Sequence, residues 1–138
     1  MKSSIKHECY LILLQPTSPL RTSNDIDAAF TLLQSKNAPS CVSVCEVVQS
    51  PYWMYRLGDD GALERIIPLP RDFTRRQDLP VIHLLNGAIY IARIDWLRQT
   101  KNFLADGCIG YSMPLERSID IDSAEDFQAF CNMVEKNN

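Results

Sequence analysis

Residues Tyr10–Leu14 form an uninterrupted apolar run that stops at Gln15-Pro16-Thr17-Ser18-Pro19, and an amphipathic stretch begins a few residues later. Few folds accommodate that order. A strand that is apolar at every position reads as buried on both faces, which is the habit of parallel sheets covered by helices. A polar, proline-marked turn at its carboxyl end is where such sheets hold ligands. The alternation continues along the chain. Thr22-Ser23-Asn24-Asp25 offers N-cap residues, and Ile26, Ala29, Phe30 and Leu33 follow at helical spacing as far as Lys36-Asn37, ahead of Pro39. Ser40–Val48 is valine-rich and reads as a strand. Pro51–Arg65 reads as a hairpin turning at Gly58-Asp59-Asp60-Gly61, and Ile66–Pro80 as an irregular excursion. Leu84–Ile94 reads as a strand, the residues from Ile94 or Asp95 to Gln99 as a short helix, and Cys108–Met113 as another strand. Ser123 caps a final helix with Phe127, Phe130 and Val134 as its apolar stripe.

Strands alternating with helices predict an α/β fold with a mainly parallel sheet. The 138 residues fit a single domain, 1–138, with about 51–80 as a hairpin and excursion. A strand apolar on both faces belongs in mid-sheet, so earlier strands are expected to flank Tyr10–Leu14. The chain therefore reads as the C-terminal part of a larger α/β domain.

Composition excludes several classes of function. The formal net charge is -3 and the Lys and Arg residues are scattered, so there is no basic field for nucleic acid. No apolar run approaches the ~20 residues that span a bilayer, and Met1–Glu8 lacks the apolar core of a signal peptide. A cytoplasmic location is expected. The five cysteines, Cys9, Cys41, Cys45, Cys108 and Cys131, are odd in number and form no CxxC pair, so they read as free thiols.

Four groups of residues could carry chemistry. Gln15, Thr17, Ser18 and Arg21 lie at the strand end, where amide and hydroxyl groups suit sugar hydroxyls and the guanidinium suits an anion. Alternatively, Thr17 and Ser18 cap the turn and Arg21 pairs with Asp25. Asp120 and Asp122 alternate with Ile119 and Ile121, which places both carboxylates on one side of an extended segment. Two such hard oxygen ligands suit Mg2+ completed by substrate phosphate; the other reading is a helix cap at Asp122 or Ser123 and a solvated Asp120. Arg71, Arg75 and Arg76, followed by Gln77, suit carboxylate or phosphate, or else pair with Asp72 and Asp78 on a solvated loop. Asn86-Gly87-Ala88 opens a strand with small residues that allow close approach, and Tyr90 and Phe103 suit either a binding pocket or the core.

The segments LLQPTSPLR (13–21), RRQDLP (75–80), NGAIY (86–90) and SIDIDS (118–123) occur in that order. Together they resemble the acylneuraminate cytidylyltransferases, the CMP-N-acetylneuraminic acid synthetase family, from about Tyr10 to Phe127. The resemblance implies a Rossmann-like fold of the nucleotide-diphospho-sugar transferase type and a homodimer. It implies transfer of CMP from CTP to a nonulosonic acid, with release of pyrophosphate and with Mg2+ as cofactor. Carried over by motif, Asp120 and Asp122 match the metal-binding acidic pair and Gln15 a sugar-binding glutamine. Arg76 matches an arginine of the dimerisation segment that reaches the sugar carboxylate across the interface. Tyr90 matches a tyrosine at the sugar site, and Phe103 matches a wall of the acyl pocket. Thr17, Arg21, Gln77 and Asn86 join the substrate-binding set through the same motifs. Trp53 stands where the family often places a second basic residue.

The family's glycine-rich basic loop for the CTP triphosphate, similar to PARGGSK, has no counterpart in Met1–Cys9, so this chain is expected to be inactive or incomplete by itself. Two other readings stay open: a non-catalytic sugar-acid-binding or dimerising remnant, and a cytidylyltransferase for 3-deoxy-octulosonate.

Overall fold

The computed structural model describes residues 8–68, 75 and 79–136. The chain divides into two compact units, Met1–Cys45 with Leu85–Asn138, and Glu46–Leu84. The first contains a four-stranded sheet in the order β1-β5-β2-β6, built from β1 (Tyr10–Leu13), β2 (Ser40–Glu46), β5 (His83–Arg93) and β6 (Cys108–Ser112). Helix α1 spans Ser23–Ser35, α2 Ile94–Thr100 and α3 Ala124–Lys136.

The expectation of a mainly parallel sheet requires correction at β5. β2 and β6 are parallel, with Cys41 opposite Ile109, but β1 and β5 are antiparallel, with Leu13 opposite Tyr90. On the other side of β5, Arg93 N donates to Pro39 O and Ile89 N to Ser43 Oγ, so β5 also runs against β2. β1, β2 and β6 share one direction, as the connection through α1 requires. The chain leaves β2 at Glu46 and re-enters at His83, so β5 runs back between β1 and β2. Among the described residues the sheet is mixed, with two of its three pairings antiparallel.

β1 is an edge strand among the described residues, and Leu11, Ile12, Leu13 and Leu14 are 38–44% exposed, so the flanking strands expected for this apolar run are not among those residues. Hydrophobicity identified the strand but not its cover. The core lies further in, where Ala29 and Leu33 of α1 meet Cys41, Ala88, Ile89, Ile91 and Met113. Tyr10 supports this core edge-on against Phe30, with ring centroids 5.0 Å apart. Cys41 and Cys45 are both buried on β2, and burial pushes the Cys41 thiol up to about 11, leaving it inert.

Helix starts follow the local sequence closely. Thr22 Oγ1 accepts from Asp25 N while Asp25 Oδ2 accepts from Thr22 N, a reciprocal capping box. Asn37 takes up a left-handed conformation just past the Lys36 cap. Ser123 and Asp126 repeat the box at α3. The apolar stripe of α3 is only partly used: Phe130 is half-buried, whereas Phe127 and Val134 are exposed. Thr22→Ala should lower unfolding free energy by about 1 kcal/mol, read from the urea midpoint. No change would mean that the α1 cap is held by tertiary contacts alone.

The second unit carries the expected hairpin, β3 (Tyr55–Leu57) against β4 (Leu63–Arg65), with Gly61 at φ +82 in its turn. Arg65 lies over the rings of Trp53 and Tyr55, 5.9 and 4.8 Å from their centroids, and Arg65 Nη1 donates to Tyr52 O.

Candidate functional site

The loop after β1 is built first, by its own backbone. Ser18 N donates to Gln15 O, closing a turn across Pro16-Thr17. Arg21 Nη1 then donates to both Gln15 O, at 3.1 Å, and Ala88 O, at 2.7 Å. This nitrogen of the expected anion fork is thus spent fastening the loop to β5. Ser18, fully buried, donates from Oγ to Asn86 O.

A second fastening brings in the acidic segment. Ile121 N donates to Thr17 O at 2.8 Å, so residues 118–122 lie along the loop. Asn86 supports the same place from below. It is 4% exposed and both ends of its amide are engaged. Its Oδ1 accepts from Ser43 Oγ and Ala88 N, and its Nδ2 donates to Ser118 Oγ at 2.9 Å and contacts Met113 Sδ. A buried amide with both ends occupied is fixed in place, because any rotation would orphan a buried polar atom.

Gln15 and Asp120 meet above Gly87. The point where a Cβ on residue 87 would stand lies 2.5 Å from Gln15 Oε1 and 3.4 Å from both Asp120 Oδ2 and Ser18 Oγ. Asp120 Oδ1 is buried without a hydrogen-bond partner among the described residues. Such an oxygen is expensive to leave unmatched and suits a ligand donor or a cation. Asp122 is exposed at the start of α3. Among the described residues, no three His, Cys, Asp or Glu side chains are grouped to hold a metal by themselves. One carboxylate completed by substrate oxygens is nevertheless a normal Mg2+ arrangement, and the Asp120 donor fits it.

Tyr90 and Phe103 form a separate aromatic pair, edge to face with centroids 5.6 Å apart, and Phe103 O accepts from Ser40 Oγ. Arg75 is exposed. Arg71, Arg76 and Gln77, with Asp72 and Asp78, lie outside the described residues.

The turn before Asp120 is anchored by an ion pair that the sequence reading missed. Arg117 Nη2 lies 2.6 Å from Asp25 Oδ1, and Tyr111 Oη donates to the same oxygen. Asp25 is therefore paired with Arg117, 92 residues away, and not with Arg21. Burial raises the Asp25 carboxyl, but the Arg117 guanidinium and the Thr22 hydrogen bonds outweigh it and hold the group at about 2.

No model of a known protein family matches this chain. Individual proteins do. It is 34% identical over 116 residues to the N-acylneuraminate cytidylyltransferase of Streptococcus agalactiae serotype V, a match covering 84% of this chain. It is 33% identical over 126 residues, 91% of its length, to the N-acylneuraminate cytidylyltransferase of Escherichia coli O18:K1:H7. The chain is a relative of the N-acylneuraminate cytidylyltransferases. It is also 31% identical over 134 residues, 92% of its length, to the CMP-N,N'-diacetyllegionaminic acid synthase of Legionella pneumophila. The chain spans 28% and 30% of the two cytidylyltransferases and 54% of the legionaminic acid synthase. Three of the four motif segments, 13–21, 86–90 and 118–123, come together at Gly87 through Gln15, Ser18 and Asp120. Ser43 and Arg117 join them only through the fold.

Proposed function

We propose that the chain carries the sugar-acid and metal-binding part of a CMP-nonulosonate cytidylyltransferase. The observation that carries this reading is the meeting of Gln15 and Asp120 above Gly87, with one buried Asp120 oxygen lacking a hydrogen-bond partner among the described residues. Two curated relatives are named for N-acylneuraminate and a third for diacetyllegionaminate, so the acceptor is assigned as a class of nonulosonic acid.

In the proposed reaction the anomeric hydroxyl of the sugar acid attacks the α-phosphorus of CTP. A new C–O–P link forms, the bond to the β-phosphate oxygen breaks, pyrophosphate leaves and the hydroxyl proton is released. Gln15 orients the sugar acid, and Asp120 with Asp122 supplies the carboxylates for Mg2+. The bound ion would offset charge developing on the phosphates. Thr17 and Arg21 shape the loop, and Tyr90 and Phe103 wall the acyl substituent. Arg76, with Gln77 beside it, reaches the sugar carboxylate across a homodimer interface formed by the 46–84 unit. Exposed Leu57, Leu63 and Ile66 on that unit support an interface there. A cytoplasmic setting, where CTP is available, completes the proposal.

None of the five glycines, Gly58, Gly61, Gly87, Gly107 and Gly110, belongs to a glycine-rich basic loop. The chain alone is accordingly expected to bind without turnover. Pyrophosphate release should be measured with CTP, Mg2+ and a panel of nonulosonic acids, with and without a second polypeptide carrying such a loop. Release only with the second polypeptide is expected. Release by the chain alone would refute this division of labour, and silence in both settings for every acid would refute the activity.

A further inference from the structure

We propose that Gly87 is a positioning residue that seats Gln15 against Asp120, an inference that rests on the sugar-acid reading of those two groups. The glycine sits inside β5 with φ +72, a conformation that side-chain-bearing residues rarely adopt. The Asn86 amide holds the kink from one side, through Ala88 N to Asn86 Oδ1. Arg21 holds the opposing loop from the other, bridging Gln15 O and Ala88 O. Together these bonds fix the backbone of Gln15 over the 87–88 step before its side chain is placed.

The carboxamide then lies close against the glycine. A Cβ at residue 87 would stand 2.5 Å from Gln15 Oε1, closer than carbon and oxygen can approach. The same Cβ would stand 3.4 Å from Asp120 Oδ2 and from Ser18 Oγ, which is ordinary contact. A methyl group there strains the backbone and, of these three side chains, presses hardest on Gln15. The missing side chain sets where the Gln15 amide meets the hydroxyl and carboxylate groups of a sugar acid.

A double-mutant cycle on the folded chain tests this, with NMR as a readout that needs no ligand. A nuclear Overhauser contact between the Gln15 side-chain amide protons and Gly87 Hα is expected, and its absence would overturn the proposal. Asp120→Asn should shift the Gln15 side-chain amide signals, and should fail to shift them once Gly87→Ala is present. For binding, N-acetylneuraminate is titrated with Mg2+ present. Gly87→Ala should weaken binding about tenfold or more, while adding about twofold or less in a Gln15→Ala background. Thermal stability should fall alike in both backgrounds, from the strained backbone. An undiminished loss of binding in the Gln15→Ala background would overturn the proposal and assign Gly87 a merely structural role. If the unmodified chain binds no sugar acid, the sugar-acid reading fails, and the NMR contacts still decide whether Gly87 seats Gln15.

Discussion

Arg117→Ala is expected to lower the unfolding free energy by about 3 kcal/mol and the melting temperature by about 10 °C. Asp25 is 1% exposed, and its Oδ1 lies 2.6 Å from Arg117 Nη2. Removing the guanidinium leaves a buried carboxylate supported, among the described residues, by the Thr22 cap and the Tyr111 hydroxyl. The expected loss stands at the low end for a broken buried pair, because those hydroxyls remain. The pH dependence provides a second check. The Asp25 carboxyl is depressed to about 2 in the fold, against 3.8 ordinarily. The unfolded chain therefore takes up a proton first, and about 2 kcal/mol of stability present above pH ~4 is lost as pH falls through about 2. In Arg117→Ala the lowering by the guanidinium is gone while burial and the Thr22 hydrogen bonds remain, so the folded carboxyl rises from about 2 and the stability lost on acidification shrinks. Urea midpoints at about pH 3 and pH 7 separate the two cases. A loss below about 1 kcal/mol at pH 7 would mean that the pair is a surface contact only.

Asp120→Asn is expected to reduce Mg2+-dependent pyrophosphate release by roughly 10²–10³-fold in the assembly that turns over. The substitution keeps the shape of the side chain above Gly87 and removes the charge at the buried Oδ1, which has no partner among the described residues. Stability should hold or rise slightly, since an unmatched buried carboxylate becomes neutral. Asp122→Asn should also impair Mg2+ dependence, from its exposed position at the head of α3. Unchanged Mg2+ dependence in both variants would refute the metal assignment.

Local chemistry was the legible part of the fold. The Thr22–Asp25 and Ser123–Asp126 capping boxes, the 55–65 hairpin and the strand ends can all be read within a few residues of sequence. The direction of β5 was not, because it depends on the chain re-entering the sheet between β1 and β2, and residue pattern does not encode that. The exposure of β1 is a different matter: the apolar run Tyr10–Leu14 records suitability for burial, and what would cover it is not among the described residues. At the site, Gln15 and Asp120 stood out as chemistry-bearing groups at a loop and an extended segment. The pairings that support them did not: Ser18 bonds Asn86 across 68 positions, Asn86 bonds Ser118 across 32 and Arg117 bonds Asp25 across 92. Such partners are ordinary polar residues until the fold brings them together.

The central claim is that residues 15–21, 86–90 and 118–122 make one sugar-acid site. Its most direct test is calorimetric titration of the folded chain, in Mg2+, with N-acetylneuraminate and with N,N'-diacetyllegionaminate. Saturable binding of at least one, weakened about tenfold or more by Gln15→Ala, is the expected result. Binding of neither acid, or binding that Gln15→Ala leaves unchanged, would contradict it.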